Sequence, residues 1–526
     1  MEFNLADLFE GVADAVPDRL AIIAGDRRLS YAELDARANR VAHYLRDVGV
    51  RPGQHVGIYA YNRAEWAEAM IGCYKARAVP INVNYRYTVE ELRYLFDNAD
   101  LVALIFEAQF GPHVASVLPG LPKLQHLVQL DDGSGIVTAE LAAADYERAL
   151  ASASPSRDGL LPRSPDDLYV LYTGGTTGMP KGVMWRAEDI FFAAMGGGNY
   201  GGVGIEHPED ITKNLSGTAG TSLALAPLMH GNAQWSMFIG LFGGNTVAFN
   251  TSHRMDADDI WDLVERENIM VISLVGDAMA RPLVDALAHR PVPASLFAMA
   301  SGGAILSPAI KAEINERAPN VVVVDAFGAS ETGANGAVDI TEKGPRFRMN
   351  EWTTVITEEG KVAPVGETGL LARRGHIPLG YYKDEAKTAA TFVELNGERW
   401  AIPGDRAIIE EHGVINVLGR GSQCINTGGE KVFPEEVEAV LKSHPDVFDA
   451  IVVGVPDARW GESVSAVVAP RTGHTVTLDD LSTFCRTSLA GYKVPRHLVV
   501  VDEVERTPAG KPNYRWAKET AASALS

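Results

Sequence analysis

Cysteine is scarce in this chain of 526 residues. Only Cys73, Cys424 and Cys485 occur, far apart and without CxxC spacing, which excludes a disulfide framework and a thiolate zinc site and fits a reducing compartment. Long apolar runs are missing too. None approaches ~18 residues, so no transmembrane segment is expected, and the acidic start "MEFNLADLFEGVADA" lacks the basic region of a signal peptide. A cytoplasmic protein follows as the expectation. Basic charge is in deficit: 47 Lys and Arg face 68 Asp and Glu, for a formal net charge of −21. A general nucleic-acid binder is thereby excluded, because phosphate backbones are held by basic surfaces. Any anionic ligand must meet a local site of backbone amides or a few basic side chains.

The chain is long enough for at least two domains. In its first hundred residues, Ser30 with Glu33 and Thr88 with Glu91 read as capping boxes. Each opens a helix whose apolar residues recur every three or four positions: Leu34, Ala38, Val41 and Leu45, then Leu92, Leu95 and Phe96. The runs "HVGIYA" (His55 to Ala60) and "LVALIF" (Leu101 to Phe106) are too short for helices and read as buried strands of a largely parallel sheet. The alternation resumes at "NTVAFN", "VISLVG", "LFAMASGGA" and "VVVVDAFG". Several of these strands run into Gly-rich turns, where open α/β sheets bind ligands. "MGGGNYGGVG" (Met195 to Gly204) has no strand leading into it and reads as a loop, not a dinucleotide turn. After about Leu418 the pattern changes to a helix at Pro434 to Ser443, strands at "AIVVGV", "VSAVVAP" and "HLVVVDEV", and a helix opening at Thr477. The fold class is therefore α/β: a large N-terminal α/β domain with mixed sheets, residues 1–420, and a small mobile α+β C-terminal domain, residues 421–526. "GRGSQ" (Gly419 to Gln423) would be the joint, its glycines able to absorb backbone rotation.

"LYTGGTTGMPKGVMW", Leu171 to Trp185, carries the strongest chemical signal. Glycines let backbone N–H groups approach phosphate oxygens, threonines add hydroxyl donors and lysine adds charge. A Walker A loop needs GxxxxGK[ST]; here Met179 and Pro180 separate Gly178 from Lys181, and Gly182 stands where the magnesium-binding hydroxyl should be. That reading fails at two positions. A purely structural Gly-rich loop is the other alternative for this stretch alone.

With further motifs, the chain resembles the adenylate-forming superfamily of acyl-CoA synthetases, luciferases and peptide-synthetase adenylation domains. The resemblance covers almost the whole chain. It rests on "YTGGTTGMPKG" and, in order, "APLMHGNAQW" (Ala226 to Trp235), "SGGA" (Ser301 to Ala304), "FGASETG" (Phe327 to Gly333), "WAIPGDRA" (Trp400 to Ala407), "LGRGSQCINTGGEKVFPEEVE" (Leu418 to Glu438) and "RTPAGKPNYR" (Arg506 to Arg515). It implies an ATP site built from Thr173, Gly174, Gly175, Thr176, Thr177, Gly178 and Lys181, with Phe327, Gly328 and Ser330 around the nucleotide. Phe327, where tyrosine is usual, would stack on adenine, and Ser330 keeps the usual threonine's hydroxyl. Glu331 resembles the family's magnesium-associated carboxylate, with Thr173 as the second magnesium contact. Asp405 matches the aspartate that takes the ribose hydroxyls, although "TGD" has become Pro403-Gly404-Asp405, and Arg420 matches a nucleotide-holding arginine.

Lys511 resembles the lysine that bridges the substrate carboxylate and the α-phosphate. The carboxylate is already ionised at neutral pH, so the step needs charge stabilisation rather than a general base. Lys181 would instead steady the leaving pyrophosphate. His230 and the segment to Trp235, with Gly302, Gly303 and Ala304, match the region lining the acyl pocket, and His230 is included among the catalytic candidates. Gly231 stands where amino-acid-activating relatives generally have aspartate, which favours an apolar carboxylic acid. In the family the small domain swings after adenylation and brings up a loop for the coenzyme A thiol, and Gly428, Gly429, Glu430 and Lys431 match it. Ser422 occupies the hinge position in place of the usual Asp or Lys.

The implied cofactors are ATP, Mg2+ and coenzyme A as co-substrate; the implied partner is a small-molecule carboxylic acid. The resemblance leaves room for weak peripheral membrane contact through a lipid substrate and for a homodimer. The wording is most similar to actinobacterial fatty-acyl and steroid side-chain CoA ligases. Two alternatives stay open at this level: an adenylating enzyme that loads a carrier protein, and a non-catalytic binding protein on this fold. A dead fold should have lost Lys511, Glu331 or Asp405, and all three are present.

Overall fold

The computed structural model describes residues 1–175, 178–215, 217–304, 306–341, 344–420, 423–427, 430–457, 461–489, 491–507 and 510–525. Both capping boxes form. Ser30 and Glu33 exchange hydrogen bonds at the start of helix Tyr31–Asp47, and Thr88 and Glu91 do so before helix Val89–Asn98. Each box satisfies N–H groups that the helix itself leaves unpaired. The apolar positions at helical spacing are buried in both helices.

The short apolar runs pair as a sheet in the order Val79–Asn82, His55–Tyr59, Leu101–Glu107, His126–Leu130 and Ala144–Asp145, with every neighbouring pair parallel. A longer sheet has a parallel centre running Leu20–Ala24, Thr246–Phe249, Thr221–Ala224, Val271–Leu274, Ala298–Gly302 and Val322–Ala329. From Gly333–Thr341 onward its pairings become antiparallel. A main core that includes Tyr31, Trp66, Trp185 and Phe238 joins the two sheets. The N-terminal part is thus α/β with mixed sheets. The segment Gly196–Gly204 is a loop, with Gly196, Gly197, Gly198 and Gly201 at positive φ.

The C-terminal part is a small α+β domain with separate cores. Strands Ile425–Thr427, Glu430–Val432, Val447–Asp457, Gly461–Pro470 and His497–Val500 carry helices Pro434–Lys442, Leu478–Cys485 and Tyr514–Leu525. Among the described residues no helix is long and apolar enough to cross a membrane.

The two parts meet at an unusual contact. Arg281, in helix Gly276–Ala286, is 2% exposed, and none of its three guanidinium nitrogens has a hydrogen-bond partner among the described residues. The guanidinium lies 5.4 Å from the ring centroid of Phe448 in the small domain. Burial, together with the nearby Arg471, lowers its pKa, while Asp277, Glu313 and Asp285 act in the opposite direction. Arg471 is itself bound to Glu313 at 3.2 Å. A buried charge without hydrogen bonds costs on the order of several kcal/mol, only partly offset by the aromatic ring. Arg281→Met, which keeps the apolar stem, is expected to raise the thermal unfolding midpoint by about 2–5 °C, read by calorimetry.

Candidate active site

The motif around Lys181 folds as an antiparallel hairpin of strands Leu168–Gly175 and Gly178–Arg186, not as a strand leading into a helix. The failed Walker A spacing thus has a structural counterpart. Thr173 and Lys181 are direct cross-strand partners, so their side chains share one face. Lys181 Nζ lies 2.6 Å from Asp384 Oδ2, and this contact holds the Asp384 carboxyl below the usual carboxylate range. Asn82, buried, fixes the base of the hairpin. Its Oδ1 accepts the Tyr172 N–H at 2.8 Å, and its amide donates to the carbonyls of Tyr172 at 2.8 Å and Met229 at 2.7 Å. One buried amide therefore ties the hairpin to the segment that ends in His230.

His230 is extended and immediately precedes helix Gly231–Phe242. A Cβ at Gly231 would stand 2.7 Å from the Leu171 Cδ2 methyl and 3.3 Å from the Trp235 ring, so the hairpin packs closely on the helix start and a side chain here would require Leu171 to shift. Trp235 Nε1 donates to the Tyr169 hydroxyl at 3.1 Å, and that hydroxyl donates to Gln234 at 2.7 Å. Asn232 donates to the Gly302 carbonyl at 3.0 Å, bringing the His230 segment against the end of strand Ala298–Gly302. Gly303 follows at φ +89°, a conformation that favours glycine. Ala304 is half-buried against the main core.

Ser330 and Glu331 sit at the tip of the hairpin between strands Val322–Ala329 and Gly333–Thr341. Thr332 closes the tip, accepting the Ala329 N–H at 3.2 Å. Trp185 of the first hairpin donates to the Ser330 carbonyl at 3.1 Å, and Tyr381 Oη donates to Glu331 Oε1 at 2.9 Å. The open end of the first hairpin and the adjoining Tyr381 are thereby joined to the tip of the second. Phe327 is half-buried and stacks on Phe347, with centroids 5.9 Å apart and planes 20° apart. Asp405 is buried at 6% exposure and is the cross-strand partner of Arg420. Its strand belongs to the same long sheet as the Glu331 hairpin.

Lys511 is exposed in a tight loop of the small domain. Its backbone N–H donates to Thr507 Oγ1 at 3.1 Å, the Thr507 N–H donates to its carbonyl at 2.8 Å, and Arg506 binds both the Gly510 carbonyl and Asp449. A Cβ at Gly510 would lie 3.5 Å from Val275, and one at Gly303 would lie 3.9 Å from the same methyl group. The lysine loop therefore docks beside the Gly302–Gly303 turn. Thr176, Thr177, Ser422, Gly428 and Gly429 lie outside the described residues, as do the side chains of Arg420, Glu430 and Lys431; Gly174, Gly175 and Gly178 are described by their backbone in the first hairpin. Sequence reasoning did not single out Asn82, Tyr381 or Asp384. Their partners lie 50 to 203 residues away along the chain, so no local pattern announces them.

The chain matches the AMP-binding enzyme family over residues 9–382 and the AMP-binding enzyme C-terminal domain over residues 436–511. A 3-oxocholest-4-en-26-oate–CoA ligase of Rhodococcus rhodochrous is 49% identical over 99% of this chain and 96% of its own length. A medium/long-chain-fatty-acid–CoA/3-oxocholest-4-en-26-oate–CoA ligase of Mycobacterium marinum is 48% identical over 98% and 96%. Among solved structures, an anthranilate CoA ligase bound to anthranoyl-AMP superposes with a TM-score of 0.87 at 22% identity, covering 99% of this chain and 98% of that one. ATP-bound MatB from Rhodopseudomonas palustris gives a TM-score of 0.83 at 25% identity, covering 99% and 100%. Carrying the Lys181 and Glu331 hairpins and the small domain with Lys511, the chain belongs to the AMP-binding enzyme family.

Proposed function

We propose that this protein is an AMP-forming acyl-CoA synthetase that adenylates a fatty or steroid side-chain acid with ATP, releases pyrophosphate and transfers the acyl group to coenzyme A. The observation that carries the reading is the docking of the Gly510–Lys511 loop beside Gly303, where the acyl pocket is placed by resemblance. The similarity to steroid-acid and fatty-acid CoA ligases supports the same substrate class.

In this reading Thr173, Lys181 and the backbone of the first hairpin receive the β- and γ-phosphates, and Phe327, Ser330, Asp405 and Arg420 hold the nucleoside and its α-phosphate. His230, Trp235, Gly302, Gly303 and Ala304 border the acyl group. Lys511 draws together the two anions, carboxylate and α-phosphate, and stabilises the charge that builds on the phosphate oxygens.

Among the described residues no cluster of three or more His, Cys, Asp and Glu could hold a metal. A lone carboxylate suits magnesium that arrives with ATP, since this ion keeps several waters and takes one or two carboxylates beside the phosphates. Glu331 and Thr173 would hold it. When bound, it neutralises phosphate charge.

We place the domain joint at 420/421, with Ser422 as the hinge and residues 428–431 as the coenzyme A loop. Gly429→Leu is expected to leave pyrophosphate release within about twofold while lowering acyl-CoA formation at least about 100-fold, because a side chain there blocks close approach of the thiol arm. Normal coenzyme A consumption by this variant would refute the loop assignment. Substrate class is tested by measuring pyrophosphate and acyl-CoA production over short, long, aromatic and steroidal acids, with and without coenzyme A. Coenzyme A-dependent turnover confined to amino acids or short acids would refute the reading.

A further inference from the structure

Residues 380–384, Gly-Tyr-Tyr-Lys-Asp, touch two charged groups of the candidate ATP site, Glu331 and Lys181. Tyr381 donates its phenol proton to Glu331 Oε1 at 2.9 Å, and Asp384 Oδ2 meets Lys181 Nζ at 2.6 Å. Lys181 and Glu331 have opposite charges and come from hairpins 150 residues apart in the chain. A single short strap between them can set the position of each.

The strap is fastened on both sides. Gly380 and Tyr381 pair with Met184 and Val183 of the Lys181 hairpin, and the Tyr382 N–H donates to the Gly182 carbonyl at 2.8 Å. The chain then turns sharply at Lys383, whose φ of +54° is rare for a side chain with a Cβ. This turn sends Tyr382 and Lys383 toward Asp100, at the N-terminal edge of strand Leu101–Glu107. Tyr382 Oη donates to Asp100 Oδ2 at 2.8 Å, and Lys383 Nζ lies 2.6 Å from the same oxygen. Lys123 holds the other oxygen at 2.6 Å. Burial opposes ionisation of this carboxyl, yet these three partners bring it down to about 2, so it stays anionic through the physiological range. The Tyr382 ring packs on His55 at 4.8 Å. This anchor borders a cleft of about 560 Å³ lined also by Arg51, Gln125 and His126.

Among the described residues, Tyr381 is the side chain that binds the Glu331 carboxylate. A phenol on one carboxylate oxygen restricts the side-chain torsions and leaves the second oxygen for an incoming cation. We propose that Tyr381 is a positioning residue for adenylation: it orients the Glu331 carboxylate toward the magnesium of MgATP, and Asp100 anchors, through Tyr382 and Lys383, the strap that carries it. This rests on the reading of the site as an ATP site given above.

Tyr381→Phe keeps the ring and its packing on Phe392, 5.7 Å away, and removes only the hydroxyl. ATP binding is measured by calorimetry across a MgCl2 titration, alongside pyrophosphate release. Loss of one hydrogen bond to a charged group predicts that the Mg2+ concentration for half-maximal ATP binding rises about 10- to 100-fold and that kcat for pyrophosphate release falls at least about tenfold. ATP binding without Mg2+, the KM for a fatty acid and the melting temperature stay near their wild-type values. Asp100→Asn, far from the phosphates, gives a smaller shift in the same Mg2+ dependence, about threefold. An unchanged Mg2+ requirement in Tyr381→Phe would overturn the proposal, as would an equal loss of affinity for fatty acid and Mg2+, which marks a general packing defect. Glu331→Gln separates the two levels: if it too leaves the Mg2+ requirement unchanged, the ATP-site assignment of Glu331 fails and the strap's role fails with it. A shift in Glu331→Gln without one in Tyr381→Phe rejects the strap alone.

Discussion

Lys511→Ala is expected to slow acyl-AMP formation by about three orders of magnitude while ATP affinity changes less than about threefold. Pyrophosphate release and equilibrium ATP binding, measured on the same preparation, check this. The physical basis is charge. An ionised acid attacks a triphosphate that is already anionic, and the transition state gathers further negative charge on the α-phosphate oxygens. A lysine at that point stabilises the transition state more than the bound ground state, and loss of a single group that acts this way commonly costs about 10²–10³-fold or more in rate. In the proposed site ATP binding is spread over the Lys181 hairpin, the Glu331 hairpin and Asp405, so it is expected to survive. Lys511 is exposed and its loop is held by Arg506, Thr507 and Asp449, so the alanine variant should melt within about 1 °C of wild type. Unchanged pyrophosphate release would remove Lys511 from the reaction.

The second large effect is expected from a single methyl group. Gly328→Ala should lower adenylate formation at least about 100-fold and the melting temperature by about 2–5 °C. A Cβ at Gly328 would stand 2.4 Å from the Gly333 carbonyl oxygen and 3.2 Å from the Ala334 Cα. Both are backbone atoms of the facing strand, so no side chain can rotate aside. The pairing register already shifts between Phe327 and Gly328, and Gly333, at φ +67°, is pressed on its other side by the Ala193 backbone. Displacement of the facing strand must move the tip that carries Ser330 and Glu331. A variant with normal melting and normal pyrophosphate release would show that the hairpin can open without disturbing the site.

Much of this molecule was legible in one dimension. The capping boxes at Ser30 and Thr88 set helix starts by bonds within four residues. Uninterrupted runs such as "LVALIF", too short for a helix, mark strands covered on both faces, because a strand apolar at every position has no face to offer water. The spacing from Gly178 to Lys181 ruled out a Walker A loop, and the structure shows the hairpin that stands in its place. Candidate site residues were legible for a related reason: each lies in a short motif whose glycines and prolines set the local backbone, at Gly302–Gly303, Gly328 to Gly333 and Pro508 to Pro512.

Contacts between those motifs were not legible. Asn82 ties Tyr172 to Met229, Tyr381 reaches Glu331, and Asp384 meets Lys181 across 203 residues. Nothing in "PIN" or "GYYKD" announces these roles, because a side-chain hydrogen bond between distant segments depends on how sheets twist and stack rather than on neighbouring residues. Arg281 against Phe448, without a hydrogen-bond partner among the described residues, is of the same kind: its neighbourhood in the sequence is a helix with an internal proline, Pro282, and nothing there announces a contact with Phe448. The elements read from the sequence, the capped helices, the apolar strands and the glycine-rich turns with the candidate groups they carry, follow from bonding and shape within a few residues. Tertiary structure alone decided which of those groups are held together and by what, because only the folded chain brings Tyr381 to Glu331 and Gly510 to Val275.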